Sequence, residues 1–319
     1  MHGLTVTASP HIHDGSNTKR IMLDVIIALI PALIAATIFF GPMVLLLTAV
    51  TISAAVLFDW GFRLIVRRES SNIADLSVVV TALIMVLGVP SNTPLWLSVL
   101  AVCVAVVVVK NIAKRLLGGV GRSMFNPALI GHIVVTGLAV YGASYPAPMS
   151  WLEPSNYLGV DTIASATPLQ LLAEGGVLPS LGELFLGIHG GTMGETSILA
   201  LLLGAGYLMW RRVILPIIPL AYIGTTVLVV TLAGHDPLIH LLSGSFVFVA
   251  FFMATDYVTS PISQKGKIIF GIGCGLITAL IRLYGGSTEG VTIALLAMNI
   301  LVIFIDRLTL PKAFGFRKG

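Results

Sequence analysis

Few side chains among the 319 residues stand where they could do chemistry, and Thr167 is the first of them. It lies in Ser165-Ala166-Thr167-Pro168-Leu169-Gln170, inside the one long polar stretch of a very apolar chain. Thr, Pro and Gln at this spacing make a capping box with proline at the first helical position, so Thr167 opens a helix. The same hydroxyl could carry a phosphate ester. Free N–H groups and the positive dipole end at a helix N-terminus stabilise phosphate. A threonine there could hold a phosphorylated cofactor without a basic pocket. On spacing alone both readings, cap and tether, stay open.

Three carboxylates and one arginine follow. Glu195 ends Thr192-Met193-Gly194-Glu195, which reads as a second capping box or as a binding carboxylate near the membrane. Asp256 follows an apolar run in Ala254-Thr255-Asp256-Tyr257. A carboxylate at a helix C-terminus opposes the dipole, which suits a cation or partner site as well as a solvated loop. Arg282 and Glu289 bracket Leu283-Tyr284-Gly285-Gly286-Ser287-Thr288 and could pair. Arg282 is also the natural counter-charge for a phosphate diester on Thr167. Gly118-Gly119-Val120-Gly121 lacks the parallel-strand surroundings of a nucleotide loop. His132, Cys103 and Cys274 lie in apolar runs and read as packing residues, and the cysteine spacing does not support an iron–sulfur site.

The elements that must position these groups are membrane helices. The chain is 56% hydrophobic and 10% charged, against about 25% charged in soluble domains. Apolar segments fall at 21–40, 42–58, 74–89, 94–110, 126–142, 194–210, 213–233, 237–255, 267–284 and 290–306, near the ~20 residues a bilayer requires. With the N-terminus in the cytoplasm, 17 of the 18 Lys and Arg fall on cytoplasmic segments and only Arg282 falls outside. That asymmetry obeys the positive-inside rule. The charges sit in short loops, so no nucleic-acid partner is expected.

The expectation is an all-α polytopic membrane protein of ten transmembrane helices. Tails 1–20 and 307–319 are cytoplasmic, helices one to five occupy 21–142, and helices six to ten occupy 194–306. Segment 143–193 is one long external loop without Lys or Arg, so Thr167 faces outside. Short echoes between Ala82-Leu83-Ile84-Met85 and Ala250-Phe251-Phe252-Met253, and between Gly118-Gly119 and Gly285-Gly286, divide the spans five and five. Odd-numbered halves give inverted repeats, with a site near the midplane between them.

Taken in order, several motifs add up to a family resemblance. They are Ser9-Pro10-His11, Phe125-Asn126-Pro127-Ala128, Ser165-Ala166-Thr167-Pro168-Leu169, His240-Leu241-Leu242-Ser243-Gly244, Thr255-Asp256 with Val258-Thr259, Gly285-Gly286 with Glu289-Gly290, and Arg317-Lys318-Gly319. The chain resembles the family of the D subunit of the Rnf membrane ferredoxin:NAD oxidoreductase, and the related B subunit of the sodium-translocating NADH:quinone reductase. The resemblance implies FMN joined by a phosphoester to the Thr of a Ser-x-Ala-Thr motif. That residue is Thr167 here, with Ala164 at the first motif position and Ser165 at the second.

Ser165 and Arg282 are the candidate companions of Thr167 in holding FMN; Glu195, Asp256 and Glu289 are the candidate ion pathway. The resemblance also implies electron transfer coupled to Na⁺ or H⁺ movement in a bacterial or archaeal cytoplasmic membrane. Implied partners are the A, B, C, E and G subunits of Rnf, a maturing flavin transferase, membrane lipid, and a second, noncovalent flavin such as riboflavin. Such a subunit is not catalytic alone. The competing readings are a non-redox transporter or channel with a urea-channel-like inverted repeat, and the quinone-reductase B subunit itself.

Overall fold

The computed structural model describes residues 18–67, 76–113, 123–138, 145–152, 165–285 and 290–309. Its regular structure is helical, and no strand occurs among the described residues. The first helix, α1 (Thr18–Phe40), spans 23 residues, or ~34 Å at the α-helical rise. It turns Ala28, Ala32 and Ala36 inward and Leu23, Ile27, Ile30, Ile34 and Ile38 outward. Burying small residues while exposing large apolar ones inverts the soluble pattern. It is what a helix does when lipid is the solvent and close packing holds helices together.

Helix α2 (Met43–Phe62) runs on into a π-helical turn at Arg63–Arg67. Helix α3 (Ser77–Leu87) has only 11 residues and is buried on nearly every side. It stops where Gly88, Val89 and Pro90 follow, because proline supplies no N–H to continue a ladder. Helix α4 (Leu95–Cys103) continues as a π-helix through Val104–Ala113. Asn126 caps α5 (Pro127–Gly137), accepting from the N–H groups of Ala128 at 2.9 Å and Leu129 at 3.3 Å.

Two short helices follow, α6 (Pro168–Glu174) and α7 (Leu181–Leu186). Then come α8 (Ile198–Trp210) and α9 (Ile217–Leu232). Helix α10 (Pro237–Leu242) ends at Ser243 and Gly244, and α11 (Phe246–Phe248) resumes and passes into a π-turn at Val249–Met253. The last two are α12 (Gln264–Tyr284) and α13 (Gly290–Thr309).

Five helical stretches are long and apolar enough to cross a membrane: 18–40, 43–66, 95–113, 264–284 and 290–309. Four more apolar helices are shorter, at 77–87, 127–137, 198–210 and 217–232. The continuous span expected over 237–255 is instead broken at Ser243-Gly244, where Gly244 takes φ +66°. Buried inside lipid, such a break is tolerated only where protein groups satisfy the freed backbone, and Arg282 does this, as described below.

Close packing joins the long helices. A Cβ on Gly271 would sit 2.8 Å from the Ile218 carbonyl oxygen, and one on Gly275 would sit 2.7 Å from that of Tyr222. This four-residue glycine spacing lets α12 lie directly on the α9 backbone. Gly204 of α8 does the same against the Ala28 carbonyl of α1. Beside it, Tyr207 donates to Asp24 Oδ1 at 2.8 Å and Arg211 to Asp24 Oδ2 at 3.3 Å.

Other charges are paired as well. Arg63 meets Asp59 at 2.7 Å, Lys110 donates to Ser77 Oγ at 2.7 Å, and Asp306 accepts from the Ile262 N–H at 3.1 Å. Arg282 stands near the opposite end of α12, 17 residues from Lys265, about 25 Å away along the helix.

Candidate functional site at the α6 entry

Thr167 caps α6 as the sequence demands. Its Oγ1 accepts from the Gln170 N–H at 3.3 Å, and Gln170 Oε1 accepts from the Thr167 N–H at 2.9 Å. Pro168 and Leu169 are buried, while the Thr167 side chain is half-buried and Ala166 is exposed. The helix closes after seven residues at Gly175, whose φ is +68°. So short a helix has a small dipole, and less of the phosphate-stabilising field expected from the sequence is available here.

The approach to Thr167 is pinned from several directions. The Ser165 N–H donates to the Tyr145 carbonyl at 2.8 Å. A Cβ on Gly190 would lie 2.9 Å from both Cβ and Oγ of Ser165, so only glycine lets this strand of chain pass so closely. On the far side of α6, a Cβ on Gly244 would lie 2.9 Å from Leu169 Cδ1 and 3.3 Å from Arg282 Nη2. Gly190 and Gly244 therefore seat the two ends of the segment 165–169.

Arg282 thus lies across Gly244 from Leu169, and it holds the broken helix. Its guanidinium donates to the His240 carbonyl and, at 3.1 Å, to the Ser243 carbonyl. It stacks 5.7 Å from the centre of the Phe246 ring. These are the carbonyls that the break after α10 would otherwise leave unpaired. Beside them, His240 Nδ1 and Ser243 Oγ are buried with no hydrogen-bond partner. Glu289 and Ala164 lie outside the described residues, as do His11, Gly118 to Arg122 and the C-terminal Arg317-Lys318-Gly319.

The second expected capping box does not cap a helix. Glu195 N–H meets the Thr192 carbonyl at 3.4 Å, closing a turn, and α8 starts only at Ile198. Ser197 is its cap, accepting from the Ala200 N–H at 3.4 Å. The Glu195 N–H bonds to the Thr192 carbonyl and not to its side chain, while the N–H groups of Met193 and Gly194 tie the segment to the Val89 and Leu87 carbonyls at 3.1 and 2.6 Å. Glu195 is 3% exposed.

Asp256 anchors a different turn. Its carboxylate accepts from the Val258 N–H at 3.3 Å, the Thr259 hydroxyl at 3.2 Å and Asn126 Nδ2 at 3.5 Å. It therefore ties the end of the α11 segment to the cap of α5, while Glu195 sits by the end of α3.

Sequence reading missed several groups. Asp24 is a carboxylate within the first apolar run, a signal that was legible. Its partners Tyr207 and Arg211 lie over 180 residues away, which no local pattern reveals. Gly190, Gly244 and the buried His189 carry no spacing signature of their own. His132 is buried against Gly88, and Cys274 is buried in the helix packing, as their surroundings in the sequence indicate.

Comparison with known proteins bears on the whole chain. Residues 5–315 match the model of the NQR2, RnfD, RnfE family. The D subunit of the Na(+)-translocating ferredoxin:NAD(+) oxidoreductase complex of Acetobacterium woodii is 39% identical over 99% of this chain and 96% of its own length. The D subunit of the proton-translocating ferredoxin:NAD(+) oxidoreductase complex of Clostridium ljungdahlii is 36% identical, covering 98% and 97%. The D subunit of the ion-translocating oxidoreductase complex of Salmonella arizonae is 33% identical, covering 98% and 99%.

Proposed function

Because the chain belongs to the NQR2, RnfD, RnfE family, we propose that it is the membrane electron-transfer subunit of an Rnf-type complex, carrying FMN as a phosphoester on Thr167. The observation that carries this reading is the Thr167 corner. A half-buried hydroxyl is presented on a segment fixed by the Tyr145 carbonyl, by Gly190 and by Gly244. A tether needs such a fixed base, since a 1 Å misplacement of a reacting group is costly.

The residues present fit the group. Ser165 and Thr167 offer hydroxyls at the corner, and the unpartnered His240 Nδ1 and Ser243 Oγ belong to the two residues whose carbonyls Arg282 binds. FMN, when bound, supplies reversible electron transfer. The chain's part is positional and electrostatic. Thr167 would hold the phosphate, Ser165 would order the approach, and the Arg282 guanidinium would set a positive charge under the corner. A covalent link also keeps the cofactor at high local concentration on a face open to dilution.

The ten apolar segments supply ten spans in two inverted halves in this reading. Both termini face the cytoplasm and Thr167 faces outside, supported by the Lys and Arg asymmetry. The electron partners are the other subunits of the complex (A, B, C, E and G), a flavin transferase installs the FMN, and a second, noncovalent flavin such as riboflavin completes the set. Glu195, Asp256 and Glu289 are the carboxylates of the ion path. Relatives are named for Na⁺ and for proton translocation, so the cation is a property to be measured for this chain.

The test is the intact mass of the full-length chain made with its flavin transferase. The wild type should be heavier than its sequence by one FMN less one water, and Thr167→Ala should not. An unmodified wild type would contradict the proposal.

A further inference from the structure

Helices α1 and α8 meet where Gly204 lies on the Ala28 carbonyl, and Asp24 is the buried charge at their seam. Tyr207 and Arg211 both donate to it, at 2.8 and 3.3 Å. The Tyr207 ring also packs on Trp210, with centroids 6.3 Å apart. Trp210 itself is 79% exposed. Arg20 stands one turn before Asp24 on the same face of α1, about 6 Å away along the axis. Asp24 therefore gathers Arg20, Tyr207, Trp210 and Arg211 into one corner, and Arg211 answers its charge. Lys19, Arg20 and Arg212 are exposed, and none of the three pairs with an acid among the described residues.

Arg212 is held where arginine is not the natural choice. Its N–H bonds to the Met209 carbonyl at 3.0 Å, and the Val213 N–H bonds to the Leu208 carbonyl at 2.9 Å. This is the Schellman closure of α8, and Arg212 fills its left-handed position with φ +56°. Glycine is usual there, because a Cβ crowds the backbone in this conformation. A side chain kept at a strained position points to a task for that side chain. Toward the bilayer the same corner is apolar and open. Leu23 and Ile27 of α1 and Leu199 and Leu203 of α8 are exposed. A Cβ on Gly206 would meet nothing within 4 Å, which leaves a notch between Leu203 and Trp210 on one stripe of α8.

We propose that this corner binds one anionic phospholipid. Arg20 and Arg212 hold its phosphate, and Lys19 adds to the field. Trp210 lies at the level of the headgroup, where an amphipathic ring is favoured. One hydrocarbon tail runs along the notch at Gly206, beside the exposed leucines. Basic groups between helices at a membrane surface attract anionic headgroups. The apolar channel decides for a lipid over an acidic protein segment, since such a segment has no use for hydrocarbon contacts next to the cations. Arg211 stays on Asp24, so the lipid takes the cations that Asp24 leaves unanswered.

The test is native mass spectrometry of the full-length chain, delipidated in neutral detergent and titrated with phosphatidylglycerol or with phosphatidylethanolamine of the same chains. A single saturable phosphatidylglycerol adduct is expected, roughly tenfold tighter than phosphatidylethanolamine. Arg20→Gln and Arg212→Gly should each weaken it roughly fivefold, one cation's contribution at an anionic surface. Arg212→Gly should also unfold at the wild-type temperature or above it, because glycine relieves the left-handed strain. Lipid loss without loss of stability separates a binding role from a structural one. Arg307→Gln, which removes an exposed cation from the last turn of α13, should leave binding unchanged. Equal binding of the two lipids by the wild type overturns the site, whether or not any variant folds. So does an Arg307→Gln loss as large as that of Arg212→Gly, which would mean diffuse attraction alone. Displacement of the lipid by an equal concentration of inorganic phosphate or of a polyglutamate peptide would assign the corner to a free anion or an acidic protein, and also overturns it.

Discussion

Replacing Arg282 with Met removes the guanidinium but keeps most of the side chain's apolar stem, so the loss measures the clamp on the broken helix. Two donors go to buried carbonyls, those of His240 and Ser243, and hydrogen bonds from a charged group are worth ~1.5–3 kcal/mol each. Arg282 is half-buried, so solvent screening puts each near the low end, for a total of about 3 kcal/mol. In a chain of this size ~1 kcal/mol moves the unfolding midpoint by roughly 2–4 °C, so Arg282→Met should unfold about 6–12 °C lower in the same detergent.

Arg282→Lys should fall between, because one ammonium cannot reproduce the fork that reaches both carbonyls. The assay is thermal unfolding followed by tryptophan fluorescence, with covalent flavin content measured on the same samples. If Arg282→Met unfolds within 1 °C of wild type, on the order of the smallest shift such a scan resolves, the clamp is not what holds α10 to α11.

Three further outcomes follow from the same geometry. Thr167→Asp keeps an N-cap oxygen but cannot form the phosphoester, whereas Thr167→Ala loses both. The first should match wild-type stability and the second should lose ~1 kcal/mol, while both lose covalent flavin on intact-mass measurement. Gly190→Val should cut flavin incorporation several-fold, because its side chain would enter the space of Ser165; incorporation at the wild-type level would show that the seat is not needed. Val177 is 93% exposed and Ile65 is 80% exposed. A cysteine at 177 should react with an impermeant maleimide in intact cells and one at 65 only after permeabilisation; the reverse pattern would invert the orientation.

The membrane class was legible in composition because lipid imposes a run length that water does not. The end of α3 was legible too, since Gly88 and Pro90 follow it directly, but the break at Ser243-Gly244 was not, since apolar residues flank it on both sides. Where those helices end depends on which carbonyls find partners elsewhere, such as Leu87 and Val89 meeting Gly194 and Met193. The Thr167 cap was readable because its partner is three residues away, and it formed as read. The cap assigned to Thr192 and Glu195 failed for the opposite reason. Local pattern favoured it, but long-range pairing of Met193 and Gly194 with the end of α3 holds this segment in a turn, and α8 begins only at Ile198. Arg282 stood out in the sequence as the one cation on segments expected to face outward, but its bond to the His240 carbonyl spans 42 residues and has no local trace.

Thr167 as a covalent flavin site is the central claim. The most direct measurement is flavin fluorescence of the denatured chain on a gel, comparing wild type, Thr167→Ser and Thr167→Ala made with the flavin transferase. A fluorescent wild-type band, a band retained at least in part by Thr167→Ser and a dark Thr167→Ala band are predicted. A dark wild-type band, or an undiminished Thr167→Ala band, would contradict it.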